Sequence, residues 1–272
     1  SFQMTVTATG PLSSTEPNLQ NIPTRTELGS QLRRMFTAPE GCVLVDADYS
    51  QIELRLLAHI AGDTEMQAAF RSGEDFHTVT ASRVFHVPPE EVTPEMRRRA
   101  KAVNFGIVYG ISAFSLAQDI GVSVAEAKAY MERYFETYQG VRQYMTDVVA
   151  KAEQDGYVQT LMHRRRALPE LKSSNFNLRE FGKRVALNMP VQGTAADIMK
   201  LAMVRVHRRL KREGLRARLL MQVHDELIVE CPASEQEQVE RLLTEEMEQA
   251  ASLSVPLIAE AHSGKNWLAA KE

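Results

Sequence analysis

Two sets of apolar runs ending in acids, far apart in the sequence, constrain this chain more than any other feature. The first run, Cys42 to Ala47, leads into Asp48-Tyr49-Ser50-Gln51-Ile52-Glu53. The second, Arg218 to Val223, turns at His224-Asp225 and returns as Leu227 to Cys231. Short apolar runs bounded by polar turns read as strands, and the second pair reads as a hairpin. Between the two sets, the pattern from Asp63 to Gly156 is helical, with breaks near Val87-Pro88-Pro89, Gly110-Ile111-Ser112 and Gln139-Gly140. A further long helix is predicted from Asn177 to Lys211. Strands first, helices in the middle and strands again describe an α+β plan: an antiparallel sheet interrupted by a largely helical insertion.

The remaining segments fill in that plan. Alternation from Met4 to Thr9 predicts a strand, and Gly10 to Pro23 a polar loop. Gln51 to Ile60 reads as a helix, Tyr157–Leu161 with Arg166–Leu168 as a short hairpin, Ser234–Leu253 as a helix and Leu257–Ala261 as a strand.

At 272 residues, 44% hydrophobic and 25% charged, the chain can bury a substantial core and has ordinary globular composition. No apolar stretch approaches a membrane span and the first residues lack a signal-like pattern. Cys42 and Cys231 have no metal-binding spacing, so free thiols and a cytoplasmic setting are expected. The net charge of −3 does not suggest nucleic acid, but local basic clusters run from Arg97 to Lys101, Arg164 to Arg166 and Arg205 to Arg218. Such runs are ordinarily solvated helix faces; the one that also carries Phe105 and Tyr109 is the exception.

Each acidic motif places carboxylates at a strand end or turn. Two carboxylates brought together from separate strands can hold two Mg²⁺ ions, and cations on a helix can hold phosphates. Along a strand Asp46 and Asp48 point the same way, and spacing alone does not choose between them. On the intervening helix, Arg97, Lys101, Phe105 and Tyr109 recur every four residues. Four residues turn the helix by about 400° and advance it about 6 Å, so these side chains form one slowly drifting stripe. Its order, cation, cation, aromatic, aromatic, matches the phosphates, sugar and base of a nucleoside triphosphate. The plainer reading is an amphipathic helix with an aromatic core stripe, but arginine and aromatics on one face make a poor dry core. Arg184, Asn188 and Gln192 repeat the same spacing on the later helix. Asp63-Thr64-Glu65 has the form of an exonuclease motif but follows a helix and Gly62, with no companion acidic motifs.

The strings DYSQIE (48–53), RRRAKAVNFGIVYG (97–110) and QVHDE (222–226) resemble the three polymerase motifs of bacterial family A DNA polymerases, the DNA polymerase I type, and the likeness extends over essentially the whole chain. The resemblance implies a palm over 1–60 and 186–272 and fingers over 61–185. It implies a template-directed DNA polymerase of replication and repair, with primer–template DNA, dNTPs and two Mg²⁺ ions as partners. It selects Asp48 and Asp225 as metal ligands, with the Tyr49 carbonyl, and leaves Glu226 a secondary catalytic role. It assigns the triphosphate to Arg97, Lys101 and His77, the sugar and base to Phe105 and Tyr109, and adds Gln51 and Glu53 to the nucleotide site, Glu53 as the group that excludes a ribose 2′-hydroxyl. Lys101 is also placed to protonate the leaving pyrophosphate. Duplex contacts fall to Thr7, Asn18, Gln20, Arg25, Arg184, Asn188, Gln192, Gln222 and His224, which would meet the nearly sequence-independent acceptors of the minor groove.

Two positions depart from the family pattern. Asp46 stands where relatives usually carry a small or apolar residue, and Pro11 stands in Ala8-Thr9-Gly10-Pro11-Leu12-Ser13-Ser14 where they carry an arginine. Proline has no N–H to offer a primer terminus. No segment resembles a thumb, so thumb and upstream segments of a larger polymerase are expected partners, and weak processivity is expected. A catalytically deficient fragment that only binds nucleic acid or nucleotide is the alternative. A two-metal phosphohydrolase ranks below both, because it gains nothing from a nucleotide-length stripe; Glu53 and Phe105 favour deoxynucleotides over the substrates of single-subunit RNA polymerases.

Overall fold

The computed structural model describes residues 1–23 and 27–271. β1 (Phe2–Gln3) pairs with β2 (Ser13–Ser14), and a short helix α1 (Glu27–Gln31) precedes the strand of the first acidic motif, β3 (Cys42–Tyr49). Then come helices α2 (Ile52–Ile60), α3 (Thr64–Ser72), α4 (Phe76–Phe85), α5 (Pro94–Val108), α6 (Ala113–Ile120), α7 (Val124–Thr137) and α8 (Gln139–Asp155). The hairpin β4 (Tyr157–Gln159) and β5 (Arg165–Ala167) leads into the long α9 (Phe176–Arg212). β6 (Arg218–Val223), β7 (Glu226–Pro232), α10 (Gln236–Glu248) and β8 (Ala259–Gly264) follow.

The chain divides into two compact units. The first comprises 1–52, 195–252 and 257–272; the second comprises 53–194 and 253–256. The first unit is built on a sheet of order β6-β7-β3-β8, every neighbouring pair antiparallel, so the sheet is split in sequence by helices as the α+β plan requires. Strand alternation gives β3 two distinct faces. Val45, Ala47 and Tyr49 are buried on one of them, and α10 packs against the strand, with the Tyr49 hydroxyl donating to the Met247 carbonyl at 2.7 Å. Leu44 on the other face joins a cluster with Val223, Ile228, Trp267 and Ala270. Asp46 and Asp48 share that second face.

The second unit is helical. Each of its helices α3, α4, α6 and α7 begins at a polar cap: Asp63, Asp75, Ser112 and Ser123 accept from backbone N–H groups of the first turn. Asp63, far from acting as a nuclease ligand, is 3% exposed and also accepts from the Val141 N–H at 3.2 Å. Close packing of α5 on the following loop needs Gly106, where a Cβ would lie 2.6 Å from Ile111 Cγ2. Further helix ends at Gly73 and Gly121, both left-handed, divide a stretch that periodicity alone ran together.

Several boundaries differ from the sequence expectation. Residues 4–9 form bends and turns instead of a strand. Met4 and Val6 are 73% and 68% exposed, and alternation without a surface to cover gives no reason to pair. The helix expected to Leu253 ends at Glu248, and β8 begins at Ala259 instead of Leu257. Among the described residues no helix is long and apolar enough to cross a membrane.

Candidate active site

In the sheet unit, the register brings the two acidic motifs together. Asp48 lies directly opposite Glu226 on β7, and Asp46 opposite Ile228. Directly opposed residues share a face, so Asp46, Asp48 and Glu226 line one surface, as strand alternation predicts for the two aspartates. Asp225 follows His224 in the two-residue turn between β6 and β7, and its carbonyl accepts from the Tyr49 N–H at 3.1 Å. His224 takes the left-handed conformation (φ 53°) that such a turn requires of its first residue.

The electrostatics of this face are those of crowded anions. Burial, then the neighbouring Asp48 charge, pushes the Asp225 carboxyl well above the ordinary range. Burial, then Glu226, does the same to Asp46, against the opposing influence of Lys271 and a hydrogen bond from Trp267 Nε1 at 3.0 Å. Lys271 is the main counter-charge: its Nζ contacts Glu226 Oε2 and lies 3.3 Å from Asp48 Oδ2 and 3.7 Å from Asp46 Oδ1. Burial works against that ammonium, yet Asp46, Glu226 and Asp48 hold its pKa above the usual lysine value. Arg33 adds a second cation, 3.8 Å from Glu226 Oε1 and stacked 4.6 Å from the centre of the Trp267 ring.

Among the described residues no three Asp, Glu, His or Cys side chains stand grouped as ligands of one metal ion. The set expected from the sequence, two aspartates and the Tyr49 carbonyl, needs only two acidic side chains. One feature suits a cation directly: Asp48 Oδ1 is buried without a hydrogen-bond partner. A buried, bare carboxylate oxygen is costly unless a positive group satisfies it.

The same unit gathers three of the residues expected at DNA. Gln20 Nε2 donates to the Gln222 carbonyl at 3.2 Å and to Gln222 Oε1 at 3.1 Å, while His224 Nε2 lies 2.9 Å from the Gln20 carbonyl. Asn18 caps the short turn that presents Gln20, accepting from its N–H at 3.2 Å. Thr7 sits in the same N-terminal region, its hydroxyl donating to the Pro11 carbonyl at 2.5 Å. Gln51 occupies a left-handed position (φ 54°) between β3 and α2. Arg25 lies outside the described residues.

In the helical unit, α5 carries Arg97, Lys101 and Phe105, and Tyr109 is the residue just past its C-terminal end. Arg97 is held in a two-pronged pair with Asp75, Nε to Oδ2 at 2.8 Å and Nη2 to Oδ1 at 2.9 Å. That guanidinium, with the Thr78 cap contacts, keeps Asp75 far below the usual carboxylate range despite some burial. Lys101 is exposed and forms no ion pair or hydrogen bond among the described residues. Phe105 stacks at a tilt on His77, ring centres 5.7 Å apart. Tyr109 donates its hydroxyl proton to Glu53 Oε2 at 2.8 Å. Burial raises the Glu53 carboxyl, and that bond partly offsets the rise.

His77 is 2% exposed, and Asn104 Nδ2 donates to its Nδ1 at 3.0 Å. Asn104 in turn accepts from Thr80, which meets the Tyr138 hydroxyl. With Nδ1 accepting, the neutral ring carries its proton on Nε2. Burial first, then Lys101 and Arg97, lower the His77 pKa to about 4 against the pull of Asp75. Arg184, Asn188 and Gln192 share α9; Asn188 Nδ2 donates to the Tyr109 carbonyl at 3.5 Å, and the Arg184 stem packs near Gly110.

Sequence reading missed Lys271, Trp267, Arg33 and Asn104. The departure at Asp46 was the available signal for the first two, because a carboxylate buried in a strand requires a donor and a cation from elsewhere.

A model of DNA polymerase family A matches residues 1–269. The chain is 56% identical over 271 residues to the DNA polymerase I of Bacillus caldotenax and 55% identical over 271 residues to that of Bacillus subtilis, covering 99% of this chain and 31% of each relative. Thermostable DNA polymerase I of Thermus thermophilus is 52% identical over 270 residues, 99% of this chain and 32% of that protein. Among solved structures, the POL domain of Pol1 from M. smegmatis in complex with DNA primer-template and dNTP superposes with a TM-score of 0.96 at 52% identity, covering all of this chain and 48% of that one. The chain therefore spans about a third of the length of the curated relatives it matches.

Proposed function

The chain belongs to DNA polymerase family A, and on that footing we propose that it is the catalytic core of a template-directed DNA polymerase, adding deoxynucleotides to a primer 3′-hydroxyl. The observation that carries the reading is the strand register that sets Asp48 beside the β6–β7 turn holding Asp225, with Asp48 Oδ1 buried and bare. In this reading residues 1–60 and 186–272 serve as palm and 61–185 as fingers.

Asp48 and Asp225, with the Tyr49 carbonyl, are the ligands we assign to two Mg²⁺ ions, and Glu226 supports them. Bound there, the ions would supply activation of the 3′-hydroxyl and neutralisation of the triphosphate and leaving pyrophosphate. The chain's own residues do the rest. Lys101 and Arg97 bind phosphate oxygens, and Lys101 Nζ gives a proton to the departing pyrophosphate. His77 offers its Nε2–H to the same oxygens. Phe105 and Tyr109 pack on sugar and base, and Glu53, fixed by Tyr109, blocks the space a 2′-hydroxyl would need. Gln51 completes the nucleotide site. The Gln20–Gln222–His224 network, with Thr7, Asn18, Arg25, Arg184, Asn188 and Gln192, grips the minor groove without reading sequence.

A second reading, a core that binds nucleic acid or nucleotide without efficient turnover, draws on Pro11, which offers no donor where the family carries arginine. Primer extension with Mg²⁺ and dNTPs decides between them. Addition of even a few nucleotides by the parent chain, absent in Asp48→Asn and Asp225→Asn, supports the polymerase. Primer–template binding with no extension under any condition supports the binding core.

A further inference from the structure

Asp46, Asp48 and Glu226 lie on one face of the sheet with Asp225 at the adjoining turn, and of these the family resemblance accounts for all but Asp46. Asp46 is 2% exposed, and its two oxygens are divided between partners. Oδ2 accepts from Trp267 Nε1 at 3.0 Å, and Oδ1 lies 3.7 Å from Lys271 Nζ. Trp267 is itself fully buried, among Leu44, Ile228 and Ala270. Asp46 is therefore a fixed negative charge within ion-pair range of Lys271. The ammonium lies nearer two other carboxylates: it contacts Glu226 and lies 3.3 Å from Asp48 Oδ2. Lys271 is 23% exposed, so water screens these contacts only in part.

We propose that Lys271 is a built-in counter-cation of the carboxylate cluster, held by Glu226 with Asp46 behind it, which occupies the place of metal charge until a divalent ion enters and then gives up Asp48 to it. The proposal rests on the assignment of Asp48 and Asp225 as metal ligands. Its physical basis is a competition. Carboxylates this close repel one another and are stable only beside positive charge. The Lys271 ammonium provides most of that charge, with Arg33 beside Glu226. A divalent ion bound by Asp48 must then either displace the ammonium from Asp48 Oδ2 or tolerate a like charge a few ångströms away, and both weaken its binding. Lys271 is thus a positioning residue: it keeps the cluster in order without metal, and it sets how much metal is needed to fill the site.

The test measures metal and stability directly, on the whole chain. Free Mn²⁺ is followed by its paramagnetic resonance signal during titration of the parent, Lys271→Met, Lys271→Gln, Lys271→Arg and Asp48→Asn. Thermal unfolding is recorded in chelator and in saturating Mn²⁺. The expected result is Mn²⁺ binding roughly ten-fold or more tighter in the methionine and glutamine variants, with arginine within about three-fold of the parent. In chelator the two neutral variants melt below the parent, and saturating Mn²⁺ closes that gap. Unchanged or weaker Mn²⁺ binding in both neutral variants, with binding still abolished by Asp48→Asn, overturns the counter-cation role while leaving the ligand assignment intact. A melting deficit equal in chelator and in Mn²⁺ also overturns it, because it marks an ordinary structural ion pair. Mn²⁺ binding that survives Asp48→Asn overturns the ligand assignment itself, and the counter-cation with it.

Discussion

The sheet unit and the helical unit keep their functional charges in different ways. At the sheet, Asp46 and Glu226 are 2% and 5% exposed and are held against Lys271 and Arg33. On α5 and α4, the Arg97 and Asp75 side chains are 47% and 36% exposed, and Lys101 is open to solvent. Removing one member of a buried ion cluster leaves a stranded charge and typically costs about 3–5 kcal/mol, whereas an exposed pair contributes about 0–1 kcal/mol. The buried site is therefore a fixed demand for positive charge. The exposed one is a reserve of positive charge, held loosely by Asp75 and released cheaply to a stronger anion.

The largest effects should come from the demand side. Asp48→Asn or Asp225→Asn should lower the rate of nucleotide addition by about 10³-fold or more, while Asp46→Ala stays within roughly ten-fold. Single-turnover primer extension measures both. A severe loss in Asp46→Ala beside a mild one in Asp48→Asn would reverse the roles of the two aspartates.

Next in size is a pH effect in the helical unit. His77 has a folded pKa of about 4 against an ordinary value of 6.5, so the unfolded chain takes up the proton more readily. The stability that depends on neutral His77 is complete above pH 6.5 and is lost as pH falls toward 4, by up to roughly 3 kcal/mol. Denaturant unfolding of His77→Gln should show a shallower decline over that window than the parent. Parallel curves would mean that His77 does not titrate in this way.

Restoring a donor at position 11 should have a smaller effect. A charged hydrogen bond is worth about 1.5–3 kcal/mol, so Pro11→Arg should raise extension from a matched primer roughly ten-fold or more. The Thr7 bond to the Pro11 carbonyl uses only backbone at that position, and arginine retains it. Equal rates would assign the primer contact elsewhere, Arg25 being the first candidate.

The smallest effect belongs to the reserve. Asp75→Asn should free Arg97 at a cost of no more than about 1 kcal/mol in stability, and should lower the apparent KM for dNTP by a few-fold. A large loss of stability would show that the pair is structural, and the contrast between the two units would fail.

Much of this is legible in the amino-acid sequence. The run from Cys42 fixed β3 and its facing aspartates, His224-Asp225 fixed the hairpin turn, and helical periodicity placed Arg97, Lys101 and Phe105 on α5. These signals are local, a matter of period and turn chemistry. What escaped was pairwise and distant. Nothing near Arg97 in sequence announces Asp75, 22 residues away, and Asp46 signals the need for a donor and a cation without identifying Trp267 or Lys271 as the residues that supply them. Met4–Thr9 failed for the opposite reason: the local pattern was present and the tertiary surface to receive it was not.

The bond from Trp267 to Asp46 spans 221 residues, and β3 has both its strand partners, β7 and β8, on the far side of the helical insertion. Seen in time instead of space, β3 emerges from the ribosome long before either neighbour exists. Its apolar run must wait, with both edges unpaired, while more than half the chain is made. Contacts this remote are slow to close, and waiting strands invite the wrong partners. The carboxylate face consequently cannot form until β7 has been made.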